Sequence, residues 1–236
     1  RDAEASLRVW VREMGDPAGV KVETILYDSQ DRLIRDFQDK KLDFVMVNTV
    51  DYLRAYPVIL VKPEIARSRN NKNTVKYVLL AQASIHDLSA LKNKKLSVVK
   101  DNSLGLIYVN VRLMQDGFED VENFFNAVQQ KNNESQTILS AFFGQTDACL
   151  VTDTAFKMMR ELNPQVGQKL RVVAESPELI DAVGFFRKDY PQAHKQVIVN
   201  GMHGGIKNHE RGRQIFLLFN VDQLNAVDDT GLNSVR

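Results

Sequence analysis

The chain of 236 residues has one cysteine, no long apolar run and a formal net charge of only +1. A single thiol, Cys149, excludes an internal disulfide and a thiolate metal cluster, and it leaves the redox compartment open. Its apolar neighbours predict a buried structural thiol. No stretch approaches the roughly 20 apolar residues that span a bilayer. Because there is no basic excess, the composition does not favour a nucleic-acid partner.

The motifs of common enzyme classes are also missing. The chain has no Gly-x-Ser-x-Gly elbow, no Walker loop, no His-Glu-x-x-His site and no Rossmann glycine triplet. His203 and His209 lie in a glycine-rich segment, but no further ligand stands beside them at metal-binding spacing. That segment is predicted to join two helices. The sequence therefore favours binding over catalysis, with no cofactor and no metal.

Predicted strands and helices alternate along the chain. The strands are predicted at Val20–Tyr27, Leu42–Val47, Val58–Val61, Val75–Leu80, Leu96–Val99, Phe124–Val128, Asp147–Val151, Leu170–Ala174 and Val183–Phe186. The helices are predicted at Leu7–Met14, after Asp28-Ser29, after Asn48-Thr49, after Ser103, at Gln136–Phe143, after Thr152-Asp153, at Tyr190–Val199 and at Glu210–Phe219. This alternation with short connections is typical of α/β folds.

The segment Lys95–Leu106 leads from a short buried strand into a helix. Asp101-Asn102-Ser103 supplies candidate N-cap residues, and Gly105 permits close backbone approach. A helix N-terminus leaves amide groups unpaired and carries partial positive charge, so it can hold an oxyanion. An ordinary capped helix has the same pattern, and this segment alone does not distinguish the two.

Ligands of open α/β sheets bind beyond the carboxyl ends of strands. Four predicted loops lie at such ends: Tyr27-Asp28, Asn48-Thr49, Asp101–Ser103 and Thr152-Asp153. The first two belong to the first series of elements and the last two to the second. A ligand is therefore expected between two lobes.

Several segments, taken in order, resemble the phosphonate-binding family of ABC-transporter solute receptors. They are Lys41–Val47, Asp87–Leu96, Gly144–Cys149, Glu175–Pro177 with Phe185–Lys188, and Gly212–Phe219. The resemblance implies a two-lobe, type II periplasmic-binding-protein-like α/β fold, each lobe a mixed sheet flanked by helices. It implies lobe 1 at residues 1–81 and 176–236, and lobe 2 at residues 82–175. The family's first strand normally precedes the helix that opens this chain.

Combined with the strand-end loops, the resemblance implies ligand contacts at Gln30, Asn48, Thr49, Tyr52, Asn102, Ser103, Leu104, Ser135, Thr152 and Ser176. The family's Ser-Thr-Ser-Gly helix start is Asn-Ser-Leu-Gly here, and an aromatic contact is replaced by Gln30. These departures predict weak binding of simple alkylphosphonates.

Two further family positions are assigned only to within one residue. The histidine that opens the family's mid-lobe helix falls at Glu134 or Ser135. The acidic residue of the return segment falls at Asp181 or Ala182.

The expected function is a non-enzymatic, periplasmic or extracytoplasmic protein that captures a small oxyanion or polar solute for an ABC transporter. The expected partners are that ligand and a transporter permease, or a sensor kinase, without nucleic acid. Membrane contact is expected only through a partner or through an N-terminal anchor lost from this sequence. The sequence leaves three alternative functions open: a sensor-kinase module, the ligand-binding part of a transcription regulator, and an enzyme on the same fold.

Overall fold

Helices and strands alternate through most of the chain, as the apolar pattern predicts. The computed structural model describes residues 21–68, 72–208 and 223–227, together with Ala5 and Arg8. The helices are α1 (Gln30–Gln38), α2 (Thr49–Ile59), α3 (Ser103–Gln115), α4 (Val121–Phe124), α5 (Glu134–Phe142), α6 (Asp153–Leu162), α7 (Pro164–Lys169) and α8 (Gln192–Asn208). The strands are β1 (Phe44–Asn48), β2 (Ile65–Ser68), β3 (Thr74–Val75), β4 (Tyr77–Gln82), β5 (Lys95–Val99), β6 (Ala127–Lys131), β7 (Ala148–Thr152), β8 (Leu170–Glu175), β9 (Leu179–Ile180), β10 (Ala182–Phe186) and β11 (Gln223–Ala226).

The chain divides into two units. Arg1–Thr74 and Ile180–Arg236 form the first unit, and Val75–Leu179 forms the second. The chain passes from one to the other within β3 and β9, which pair in a two-stranded sheet. These divisions differ from the predicted lobe boundaries at 81/82 and 175/176, because β4 belongs to the sheet of the second unit.

The first unit contains a four-stranded sheet in the order β1-β10-β2-β11. The return strand β10 pairs antiparallel with both β1 and β2, and β11 pairs antiparallel with β2. The strands β1 and β2, joined through α2, therefore run parallel on either side of β10. Phe37, Tyr52, Val183 and Phe185 lie in the core of this unit.

The second unit contains a five-stranded mixed sheet in the order β6-β5-β7-β4-β8. The strand β5 is parallel to β6 and β7, whereas β4 is antiparallel to β7 and β8. Leu80, Ile138, Cys149 and Phe156 lie in its core. Cys149 is fully buried and burial raises the pKa of its thiol, which confirms the predicted structural role.

Three predicted strands differ from the structure. Residues 21–27 have no regular secondary structure, although a strand is predicted at Val20–Tyr27. Val58-Ile59 ends α2, and Leu60 caps that helix with a left-handed φ of 48°. Phe124 ends α4, so the following strand begins only at Ala127. Periodicity alone cannot distinguish such short apolar runs from helix ends.

The C-terminal predictions also change. The helix α8 continues through Gly201 to Asn208, where a joint between two helices is predicted. The predicted helices at Leu7–Met14 and Glu210–Phe219 lie outside the described residues.

A surface network of ion pairs lies just beyond the end of β10. Arg187 donates through Nε to Asp43 and through Nη1 to Asp189, both at 2.7 Å. Lys40 donates to the other carboxylate oxygen of Asp189, also at 2.7 Å. The Arg187 guanidinium also lies 5.4 Å from the ring centroid of Tyr190. The network thus connects the loop before β1 to the segment after β10.

We expect the Asp189→Asn variant to lose an acid-sensitive part of the stability. Lys40 and Arg187 lower the pKa of Asp189 from 3.8 to about 2. Because the folded-state pKa is depressed, this stabilisation is present above the unfolded value and is lost as the pH falls through the folded value. Melting temperatures of wild type and variant should therefore converge as the pH is lowered from about 6 to about 2. A difference that stays constant over this range would contradict the prediction.

Candidate functional site

Four strands of the second unit end at the same edge of its sheet. The strands β5, β6 and β7 are mutually parallel, and β8 runs the same way because β4 is antiparallel to both β7 and β8. The helices α3, α5 and α6 begin after β5, β6 and β7. We call this the second-unit edge. It carries six residues predicted from the sequence as ligand contacts: Asn102, Ser103, Leu104, Ser135, Thr152 and Ser176.

The start of α3 offers one unpaired backbone donor. Ser103 is the first residue of the helix, as predicted, and the N-cap Asn102 accepts a hydrogen bond from the N–H of Gly105 at 3.1 Å. The N–H of Ser103 donates to the carbonyl of Asp101 at 2.9 Å. Within the described ranges, the N–H of Leu104 has no acceptor, while the Leu104 side chain is buried. An open amide at a helix N-terminus suits an anion.

The starts of α5 and α6 are partly occupied by side chains of the protein itself. Glu134 accepts a hydrogen bond from the N–H of Thr152 at 2.8 Å. The Thr152 hydroxyl caps α6 by accepting from the N–H of Ala155 at 3.2 Å. Ser135, the second residue of α5, is exposed. Ser135 is thus more accessible to a solute than Thr152.

Ser176, a predicted ligand contact, has a structural role in this structure. Its side chain is buried, and its hydroxyl accepts from the N–H of Tyr77 at 2.8 Å and donates to the carbonyl of Pro177 at 2.7 Å. Its own N–H donates to the carbonyl of Tyr77 at 2.9 Å. These bonds hold the end of β8 against the start of β4.

Sequence reasoning missed Tyr108 in the second turn of α3. The Oη atom of Tyr108 is buried and has no hydrogen-bond partner. Burial raises the pKa of Tyr108 to about 12, an effect that Arg112 opposes and Glu175 increases. No local pattern marks this residue, because an unpaired hydroxyl is a property of the tertiary structure.

The corresponding edge of the first unit lies where β1 and β2 end and β10 begins. Asn48 is paired with Ala182, and Ala66 with Val183, so Arg67 and Asp181 also lie at this edge. We call it the first-unit edge. It combines an amide side chain with one cationic and one anionic side chain.

Asn48 and Gln30, both predicted as ligand contacts, lie together at the start of α2. Asn48 is exposed and caps α2, accepting from the N–H of Asp51 at 2.8 Å and donating to its carboxylate at 2.5 Å. The side-chain amide of Gln30 donates to the carbonyl of Asp51 at 2.9 Å. Both side chains therefore lie beside the first turn of α2.

Thr49 and Tyr52, two predicted ligand contacts, are core residues in this structure. The Thr49 hydroxyl is buried and donates to the carbonyl of Ile180 at 2.6 Å. Tyr52 is fully buried, and its hydroxyl donates to the carbonyl of Val61 at 2.9 Å. Neither hydroxyl is available to a solute.

Arg67 is a second residue that sequence reasoning missed, since the sequence predicts a polar loop there. It lies in β2 and forms an ion pair with Asp181 at 2.5 Å. The two side chains are 22% and 14% exposed, and the Nε atom of Arg67 is buried without a partner. This pair places an acidic side chain, Asp181, at the first-unit edge.

In the part of the chain that the structure describes, no group of three or more His, Cys, Asp or Glu side chains could hold a metal ion. The same residues include no helix that is long and apolar enough to cross a membrane.

The family comparison gives a match over nearly the whole chain. A model of periplasmic substrate-binding proteins of phosphonate ABC transporters matches residues 1–232. No match was found among curated proteins.

Solved structures with similar folds include two at low sequence identity. PhnD1 from Prochlorococcus marinus (MIT 9301), solved with methylphosphonate, is 15% identical, with a TM-score of 0.65 over 98% of this chain and 88% of that chain. XAC2383 from Xanthomonas citri, solved with ATP, is 14% identical, with a TM-score of 0.70 over 97% of this chain and 88% of that chain. At this identity the likeness concerns the fold.

Two α/β units joined by two crossings form a fold similar to the type II periplasmic-binding-protein fold. The predicted fold class is thereby confirmed. The chain belongs to the family of phosphonate-type periplasmic substrate-binding proteins of ABC transporters, as its resemblance to that family predicts. It is therefore a substrate-binding protein of the transport type.

Proposed function

We propose that this protein binds a small solute carrying an oxyanion group, outside the cytoplasm, and delivers it to an ABC-transporter permease without chemical change. The second-unit edge would hold the oxyanion. The family of periplasmic transport receptors supports the location and the permease partner.

The observation that carries the proposal is the convergence of helix starts at the second-unit edge. Three helices begin there, and the N–H of Leu104 has no acceptor among the described residues. Each helix N-terminus carries partial positive charge, and backbone N–H groups bind anions whatever the side chains are. At the neighbouring start of α6, the N–H of Thr152 is already paired with the Glu134 carboxylate.

A thermal-shift screen tests the proposed ligand class. The screen compares methylphosphonate, inorganic phosphate, sulfate and methanesulfonate with glycerol as a neutral control. A ligand at 100 times its dissociation constant should raise the free energy of unfolding by about 2.7 kcal/mol. Stabilisation by at least one oxyanion is expected, and a response to none of the four would overturn the proposal.

We expect the Asn102→Asp variant to bind the oxyanion more weakly than wild type. Asparagine and aspartate cap helices about equally well, so the stability should change little. A carboxylate at the start of α3 would repel the bound anion by about 1 kcal/mol or more at an effective dielectric constant near 20. Titration calorimetry should give a dissociation constant raised by roughly fivefold or more, with a smaller effect at high salt.

The Asn163→Asp variant is the matched control. Asn163 caps α7 by accepting from the N–H of Gln165 at 3.1 Å. It lies beyond the far end of α6, about 15 Å along that helix from the second-unit edge. An equal loss of affinity in both variants would assign the effect to net charge and would contradict a site at α3.

A further inference from the structure

The Oη atom of Tyr108 is the one buried side-chain nitrogen or oxygen without a partner in the second unit, all of whose residues are described. A buried hydroxyl without a hydrogen bond costs roughly 1–3 kcal/mol, and native proteins rarely leave one unpaired. Such a group is therefore a candidate for a contact completed by a ligand.

The position of Tyr108 on α3 directs its side chain toward the second-unit edge. Tyr108 is four residues after Leu104, so the two share one face of the helix. Long side chains on a helix lean toward its N-terminus and cover the preceding turn. Glu175, the last residue of β8 at this edge, is close enough to raise the pKa of Tyr108.

The neighbouring charged groups are already engaged with one another. Glu175 accepts a hydrogen bond from Lys76 at 2.5 Å, and Arg112 forms an ion pair with Asp116. Because burial raises the pKa of Tyr108 to about 12, its phenol stays protonated near neutral pH. The hydroxyl is thus a donor at a site where the protein supplies no acceptor.

We propose that Tyr108 is a ligand-contacting residue whose hydroxyl donates to an oxygen of the bound oxyanion, beside the N–H of Leu104. This inference rests on the proposed function. In the Ser-Thr-Ser-Gly helix start that the resemblance implies, the third position carries a hydroxyl. In this chain that position is Leu104, which is buried. Tyr108, one turn later on the same face, supplies a hydroxyl donor in its place. Two donors without acceptors select a group rich in acceptor oxygens, such as a phosphonate or phosphate, over an ammonium group.

The test compares the Tyr108→Phe and Tyr190→Phe variants with wild type, using methylphosphonate and inorganic phosphate as probes in titration calorimetry. Tyr190 follows β10 in the first unit and stacks on Phe186 with ring centroids 5.7 Å apart. The Tyr190→Phe variant also removes one phenolic hydroxyl, but in the first unit and not at the second-unit edge, so it is the matched control. Melting temperatures of the ligand-free proteins are measured in parallel.

We expect Tyr108→Phe to raise the dissociation constant of the bound probe about tenfold or more, since hydrogen bonds to charged groups are strong. Its ligand-free melting temperature should be unchanged or higher, because the change removes an unpaired buried hydroxyl. Tyr190→Phe should leave the affinity unchanged.

Three outcomes would overturn the inference, and they are distinguishable. If wild type binds a probe and Tyr108→Phe binds it equally well, the assignment of Tyr108 is wrong while the proposed ligand class stands. If wild type binds neither probe nor the other oxyanions, the proposed class is wrong, and the role of Tyr108 as an oxyanion donor is wrong with it. A lower ligand-free melting temperature with unchanged affinity would assign Tyr108 a structural role.

Discussion

The Phe185→Ala variant is expected to lose about 3–5 kcal/mol of the free energy of unfolding. Phe185 lies in the return strand β10 and is 1% exposed. Its ring meets those of Phe37 and Tyr52 at centroid distances of 5.3 and 5.6 Å. Truncation therefore removes the ring that joins α1 and α2 to the sheet of the first unit, and it leaves a cavity. Urea titration followed by circular dichroism measures the loss.

The Phe143→Ala variant is the matched control, because Phe143 is 67% exposed at the end of α5 in the second unit. Its stability should stay within about 0.5 kcal/mol of wild type. Because Phe185 lies in the core of the first unit and Phe143 at the surface of the second, Phe185→Ala should lower the free energy of unfolding far more than Phe143→Ala. Similar losses in the two variants would show that Phe185 does not hold the core together.

Most elements of the second unit could be predicted because their signals are local. The buried strand β7 begins with four apolar residues, and its last residue, Thr152, is the N-cap of α6. The start of α3 has a local signal as well, because Asn102 is the N-cap and Ser103 is the first residue of the helix. A strand buried on both faces and a capping side chain are recognisable without any knowledge of distant residues.

The site was harder to predict because availability to a ligand depends on distant partners. Thr49 follows a strand, as a ligand contact should, but its hydroxyl bonds to Ile180, which is 131 residues away in sequence. Ser176 is committed to Tyr77, 99 residues away. The sequence could locate these residues at strand ends, but it could not tell which side chains the fold itself would use.

Two residues of the candidate sites, Arg67 and Tyr108, were not predicted from the sequence, because their hydrogen bonding also depends on residues that are distant in sequence. Arg67 and Tyr108 are distinguished by buried polar atoms that lack partners. A helix stripe or strand alternation carries no information on whether a hydroxyl or guanidinium nitrogen finds an acceptor. Such orphan atoms emerge only when the whole network of hydrogen bonds is known, and in functional proteins they direct attention to sites that a ligand completes.

The Asp181→Ala variant is expected to lose about 2–3 kcal/mol of stability, because it leaves the half-buried Arg67 guanidinium without its carboxylate partner. The value lies below that of a fully buried pair since the side chains are 22% and 14% exposed. Arg67→Met keeps much of the side-chain volume and removes the charge that Asp181 faces. In a double-mutant cycle, the combined variant should lose clearly less than the sum of the single variants.

The Lys21–Glu23 pair provides the control cycle, with N···O at 2.6 Å and side chains 86% and 72% exposed. An exposed pair in high dielectric should give a coupling of at most about 0.5 kcal/mol despite its short distance. If the Arg67–Asp181 coupling is as small, burial does not strengthen the pair. A large coupling would mean instead that Asp181 is already neutralised by Arg67. A solute ammonium group would then gain little from this carboxylate, which fits a receptor that selects its ligand by oxyanion oxygens.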